Sequence, residues 1–268
     1  MTKPGFLTAF KKREDTLISE VSNLFHCDAN NIGDQMCGPG QYLWPDACRN
    51  LPLVPVRKRL GNTNVGGGQI FSQLSTILAS IHRINPAARV IGWGIGLPPA
   101  GVRDEIVREV TKSFALFGTR NYTRREHLSF VPCASCLSPL FDQVAQPKHE
   151  VVFYLHRRKG APIVPPADVP VMTNAMRPFQ DVVDFIAAGE VLVTSSYHGV
   201  YWAQLLGRRV ICLPYNNKFE TFQHRPTMAE VDNWREKMTL ASQTVPLLEE
   251  YRALNYAFAK RALEVWNE

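Results

Sequence analysis

Two serines, a tyrosine, a histidine and a glycine stand together in SSYHG, Ser195 to Gly199, between two apolar stretches. The first, VLVTS, reads as a buried strand and the second, GVYWAQLLG, as a helix. That order sets the hydroxyls of Ser195 and Ser196, and the amides up to Gly199, at a helix N-terminus, where an anion is favoured. A histidine beside such an anion can give or take a proton near neutral pH, which makes His198 the candidate acid or base. A packed, structural His198 is the competing reading. Lys218 follows the next strand, RRVICLPY, and is expected to reach the same place. Arg120, in GTRNYT, offers the two-pronged donor that suits a carboxylate or phosphate. His156 and Arg157 close the strand VVFYLHRR.

Two further loops carry the glycines and caps expected around a ligand. In NNIGDQ, Gly33 permits close backbone approach, and Asn31 or Asp34 can cap a helix. GWGIG ends an apolar strand and contributes Gly94 and Gly96. NVGGGQ could leave amides free for an anion, but no Gly-Lys-Ser/Thr follows it, and neither loop has the spacing G-x-G-x-x-G. A nucleoside triphosphate or dinucleotide site of the usual kind is thereby excluded. CASC gives Cys133 and Cys136 the spacing of zinc ligands, with Cys27, Cys37 and Cys48 upstream. No second C-x-x-C exists, and Cys133 falls at the end of an expected strand. Buried free thiols are the commoner case, so no metal is expected.

Strands alternating with helices must position these residues. Gly5 to Phe25 reads as an amphipathic helix, suited to packing on the domain or to lying on a membrane surface, with packing favoured. A helix is expected from Gln69 to Ile81 and a strand near Ser129 to Cys133. A break follows at DQVAQPKHE, and the alternation then restarts. The pattern predicts an α/β protein of two Rossmann-like doubly wound domains, residues 1–147 and 148–268, facing a cleft. Ligands in such sheets lie beyond the carboxyl ends of the strands. The last stretch reads as a long amphipathic helix, and the segment after Pro246 is expected to pack partly back on the first domain.

The 268 residues are 45% hydrophobic and 20% charged, a composition able to build a core, with a formal net charge of +6. The excess suits an anionic partner. No basic run interleaved with aromatics argues for nucleic acid. No stretch has the apolar length of a membrane span, and the first residues lack a signal-like core, so a cytoplasmic location is expected.

Taken in order, these segments resemble the polysaccharide pyruvyltransferase family, the ketal-forming enzymes of exopolysaccharide assembly. NIGDQ resembles the family's early Asn-x-Gly-Asp motif, and VIGWGIG its strand followed by Gly-x-Gly. GTRNYTRRE resembles the segment whose arginine opens the last part of the first domain. VTSSYHGVYWAQLLGRRVICLPY is the nearest match, with Ser-Ser-x-His-Gly between strand and helix. Many members have Arg-Leu-His where this chain has Ser196, Tyr197 and His198; the charge would then come from Arg120, Arg157, Arg208 or Lys218. The resemblance implies a fold similar to the GT-B glycosyltransferases, with the acceptor on the first domain and the donor on the second. It implies phosphoenolpyruvate as donor and no cofactor. The acceptor would be a polysaccharide or lipid-linked oligosaccharide, with peripheral association at the inner face of the membrane. Donor contacts would come from Ser195, Ser196, Gly199, Arg120, His156, Arg157 and Lys218, proton transfer from His198, and cleft loops from Asn31, Gly33, Asp34, Gly94 and Gly96. Two alternatives stand beside it: a glycosyltransferase using a nucleotide sugar, with Glu220 as a candidate ribose ligand, and a non-catalytic glycan- or anion-binding protein.

Overall fold

A computed structural model describes residues 21–25, 30–46, 48–241 and 247–268. The first sheet holds β1 (Ser22–Phe25), β2 (Arg49–Pro52), β3 (Thr63–Gly66), β4 (Val90–Ile95), β5 (Leu116–Thr119) and β6 (Ser129–Phe130). Its order is β2-β1-β3-β4-β5-β6, and every pairing is parallel. The second sheet holds β7 (His149–Leu155), β8 (Val171–Thr173), β9 (Gly189–Thr194), β10 (Arg209–Cys212) and β11 (Thr227–Met228). Its order is β11-β10-β9-β7-β8, again parallel throughout. The helices are α1 (Ile32–Gln35), α2 (Gly40–Leu43), α3 (Leu74–Ile84), α4 (Asp104–Lys112), α5 (Phe179–Ala187), α6 (Tyr197–Leu205), α7 (Trp234–Lys237) and α8 (Leu248–Asn267). This is the pair of Rossmann-like, doubly wound sheets that the alternating pattern predicts. Among the described residues no helix is long and apolar enough to cross a membrane.

Strands covered on both faces read as unbroken apolar runs rather than alternating ones. In β9, Val191, Leu192 and Val193 are all fully buried, held in register by Val151, Val152 and Phe153 of β7. Thr194, next in line, turns its hydroxyl back to the Tyr154 carbonyl and receives the Ser196 amide, which ends the strand in a tight turn into α6. Gly199 lets α6 settle on this turn, because a side chain there would run into the Thr194 hydroxyl and the Tyr154 ring.

Three expectations change. The helix expected from Gly5 to Phe25 lies mostly outside the described residues, but its last part is β1, a strand between β2 and β3. Parallel pairing on both edges of residues 22–25 overrides the helix-like spacing, and Val21 and Leu24 are buried in the apolar clusters beside the sheet. The helix expected to begin at Gln69 starts as a 3-10 turn at Phe71–Gln73, and α3 continues to Ile84. The strand expected to reach Cys133 stops at Phe130; Val131 gives one more bond to Thr119, and Pro132 has no amide to extend the ladder. Cys133 therefore precedes a 3-10 turn, Ala134–Leu137, instead of ending a strand.

The two halves meet over an apolar junction. Phe25, Ile32, Cys37, Cys133 and Phe141 of the first half share one cluster with Tyr154, Val182, Tyr201 and Trp202 of the second. The long helix α8 leaves the second half and lies on the first sheet. Its Phe258, Ala259, Ala262, Leu263 and Trp266 cover Trp44, Ile91, Trp93 and Val131. Buried Trp93 donates its indole N–H to Asn255 Oδ1 at 2.9 Å.

Candidate functional site

In each sheet the strand order reverses once, between β1 and β3 in the first and between β7 and β9 in the second. Such switch points open a crevice at the carboxyl ends of the strands. The loops after β1 and β3 carry Asn31, Gly33, Asp34 and the glycines 66–68; those after β7 and β9 carry His156, Arg157, Ser195, Ser196 and His198. These loops touch one another across the junction. Asn174 donates to Asn31 Oδ1 at 2.9 Å and accepts the Arg157 amide at 2.8 Å, while its carbonyl accepts the Ile32 amide at 3.2 Å. Asn31 caps α1 through the Gly33 amide and reaches Asp34 at 2.8 Å.

The serines are committed to the backbone. Ser195 Oγ accepts the His156 amide at 3.0 Å, across the switch point of the second sheet. Ser196 Oγ caps α6 by accepting the Gly199 amide at 3.3 Å. Both hydroxyls, and the Gly199 amide, thus hold the turn together, which modifies the expectation that they face a ligand freely.

His198 does not look outward. Its ring is buried, with the Trp202 ring 5.1 Å away between centroids and Gly33 against its Nδ1 edge. A Cβ on Gly33 would stand 2.8 Å from His198 Cγ and 3.0 Å from Cε1, so only glycine admits the imidazole here. Nε2 lies 3.4 Å from Cys37 Sγ and 3.6 Å from Cys133 Sγ, and the two sulfurs are 3.5 Å apart. Ser135 donates to Cys133 Sγ at 3.3 Å and is itself held by the Trp202 indole at 3.0 Å. Burial alone would raise the Cys133 thiol, but bonds from Cys37, His198 and Ser135 and the histidine's charge bring it well below the ordinary value. Cys37, which gives its S–H to the Gly33 carbonyl at 3.0 Å, moves well above through its hydrogen bond with Cys133 and its burial. The C-x-x-C pair does not act as a unit: Cys136 receives a bond from Asn255 at 3.4 Å.

The outer part of the site is cationic. Arg120 is buried, with its guanidinium carbon 3.9 Å from the centre of the Tyr197 ring, and its Nη1 has no hydrogen-bond partner among the described residues. Gly96 makes room for it: a Cβ there would stand 3.1 Å from its Nε and Nη2. Lys218 Nζ lies 4.3 Å from the Tyr215 ring centre and donates to the Tyr215 hydroxyl; Lys159 Nζ lies 5.9 Å from the same ring. None of these three cations forms an ion pair with a described residue. Burial, then the charges of Arg120 and Lys159, lower the Lys218 ammonium to about 7. Burial, then Lys218, Lys159 and His198, lower His156 to about 4. Its Nδ1 accepts the Arg158 amide at 3.2 Å, which leaves the other nitrogen protonated in the neutral ring.

The remaining expected residues fall nearby or away. Gly94, at φ +59°, backs the chain at Val131 to Cys133 and serves the thiol cluster only by packing. Arg157 contributes its amide, and its side chain is exposed. Arg208 bonds the carbonyls of Ala187 and Ala145 near the start of β10, at the end of the sheet opposite the site. Glu220 is exposed, 3.5 Å from Arg225. Cys37, Lys159, Tyr215 and Asn174 were not singled out as site residues; a thiol, a loop lysine and an asparagine have no local signature.

No family model matches this sequence, and no curated protein matches it. Solved structures of similar outline exist. A functionally uncharacterized protein of Klebsiella pneumoniae is 13% identical, with 90% of this chain and 96% of that one aligned at a TM-score of 0.48. A putative UDP-N-acetylglucosamine 2-epimerase of Listeria monocytogenes is 10% identical over 88% and 89% of the two chains, at 0.42. The wall teichoic acid polymerase TagF is 10% identical over 97% and 88%, at 0.43. The architecture described above rests on the strand order of this chain.

Proposed function

We propose that the protein is a transferase that takes the enolpyruvyl group of phosphoenolpyruvate and forms a cyclic pyruvate ketal on two hydroxyls of a sugar in a polysaccharide or lipid-linked oligosaccharide. The observation that carries this reading is the gathering of Arg120, Lys159 and Lys218, without ion pairs to described residues, around Tyr197 and Tyr215 at the carboxyl ends of the two sheets. Positive side chains that repel one another, with Asp34 the acidic group acting on Arg120 and Lys218, suit an anionic ligand. The order of motifs resembling the pyruvyltransferases selects a small phosphorylated carboxylate as that anion.

The placement of His198 against two sulfurs moves the proton-transfer role to Lys218. Near pH 7 the Lys218 amine divides between charged and neutral forms. A donor phosphate or carboxylate beside it favours the ammonium, so the donor draws a proton onto Nζ. That proton goes to the methylene carbon of the enol, and one sugar hydroxyl adds to C2. Phosphate then leaves as the second hydroxyl closes the ketal. The first hydroxyl's proton replaces the one Lys218 gave, and the second leaves with the phosphate. Arg120 stabilises the charge on the departing phosphate.

The test is phosphate release from phosphoenolpyruvate over a panel of acceptor glycans, with calorimetric binding of phosphoenolpyruvate against UDP- and GDP-sugars. Release dependent on one acceptor, and reduced about a hundredfold or more in Lys218→Met, is the expected result. Binding of a nucleotide sugar with none of phosphoenolpyruvate would overturn the reading.

A further inference from the structure

Cys37, Cys133 and His198 come from three separate places: the turn after α1, the loop after β6 and the first turn of α6. They are 96, 65 and 161 residues apart pairwise, yet their ligating atoms form a nearly equilateral triangle with sides of 3.5, 3.6 and 3.4 Å. A tetrahedral zinc ion, with sulfur at about 2.3 Å and nitrogen at about 2.0–2.1 Å, has S···S edges of about 3.8 Å and S···N edges of about 3.5–3.6 Å. The observed triangle matches one face of that tetrahedron to within about 0.3 Å. We infer that Cys37, Cys133 and His198 form a zinc site that bridges the two halves of the molecule.

The surroundings fit this assignment. Two thiolates and a neutral imidazole cancel the charge of a divalent ion, which a buried site requires. Zinc sites owe much of their order to groups behind the ligands. Here Ser135 donates to Cys133 Sγ and is anchored by Trp202, whose ring also lies beside the imidazole. Gly33 fixes the Nδ1 edge of that ring, because no larger residue fits against it. Three protein ligands leave a fourth tetrahedral position for water or an oxygen of a bound molecule. The soft donor set selects zinc over magnesium or calcium, which prefer oxygen. Since two ligands belong to the first half and one to the second, the ion would pin the junction closed.

This inference does not depend on the reading of the reaction, and its test needs no substrate. Protein purified under reducing conditions should carry close to one zinc per chain by plasma mass spectrometry. Replacing zinc with cobalt should give the intense visible bands of a tetrahedral site and the near-ultraviolet charge-transfer band of thiolate ligation. Cys133→Ser and Cys37→Ser should lose the metal, while Cys136→Ser, the other member of the C-x-x-C, should retain it. A chelator should lower the melting temperature of the wild-type protein and leave that of Cys133→Ser unchanged. Wild-type protein that takes up neither zinc nor cobalt, even after zinc is supplied during refolding, overturns the inference. So does a Cys37–Cys133 disulfide in protein isolated without added oxidant, or metal lost equally on replacing Cys136.

Discussion

Replacing Gly33 with alanine adds a single methyl group to the one place where the two halves touch through an imidazole. The new Cβ would lie 2.8 Å from His198 Cγ and 3.0 Å from Cε1, with Nδ1 nearer still. Ordinary contact between such atoms is about 3.5–4.0 Å, so the ring or α1 must retreat by roughly 1 Å. The ring cannot retreat easily, because the Trp202 ring packs 5.1 Å from it and the two thiols hold its Nε2 edge. Overpacking of this kind costs about 1–3 kcal/mol. Alanine gains at most about 1 kcal/mol over glycine in a helix, and α1 is only one turn long, so the clash decides the sign. For a chain of this size each kcal/mol moves the midpoint by about 2–4 °C, which gives an expected loss of roughly 2–12 °C. The assay is thermal or urea unfolding of Gly33→Ala in two backgrounds, wild-type and His198→Ala. With the imidazole gone, the added methyl has room, so the second background should show little or no cost. The difference between the two is the coupling energy, expected at about 1–3 kcal/mol. A Gly33→Ala protein that melts normally, or one that loses the same amount in both backgrounds, refutes the contact and with it the placement of His198 against the first half.

Two further outcomes are expected. Lys218 has its ammonium lowered from 10.5 to about 7 in the folded state, so the native protein binds fewer protons than the unfolded chain between those values and the lysine's penalty on folding shrinks as pH rises. Lys218→Met should therefore raise stability most at pH 7 and below, with the gain fading towards pH 10.5; a gain independent of pH would contradict the burial assigned to this lysine. Asn174→Ala removes, from a buried position at the junction, the acceptor of the Arg157 amide and the donor to Asn31, and should cost about 1–3 kcal/mol in urea unfolding; a neutral substitution would show that the two halves do not lean on this residue.

The alternation of strands and helices was legible because each strand carries its own evidence. VLVTS, GVYWAQLLG and RRVICLPY became β9, α6 and β10 with small changes at their ends. Where tertiary pairing outweighs local pattern, reading failed: β1 has the apolar spacing of a helix, yet two parallel neighbours make it a strand. The loops of the site were legible through the rule that ligand sites follow strand ends. What lies between those loops was not. Gly33 and His198 were both singled out, but nothing local says that one is the wall of the other's pocket. Cys133 was paired in thought with Cys136, its neighbour by spacing; the fold pairs it with Cys37, 96 residues away. Local spacing reports a shared turn, and only the path of the chain reports a shared site.

The covering of the first sheet by α8 has a consequence for synthesis. Trp93 and the asparagine that receives its indole N–H are 162 residues apart. At roughly 5–20 residues per second, about 8–30 s separate their emergence from the ribosome. During that interval the face bearing Trp44, Ile91, Trp93 and Val131 lacks the cover that α8 supplies. The first half therefore cannot reach its final packing as a nascent domain, and a chain released short of α8 would present a sticky aromatic surface to every other protein in the cell. Synthesis of α8 thus acts as a checkpoint for the first half: only a chain that has passed α8 can bury this face of its first sheet.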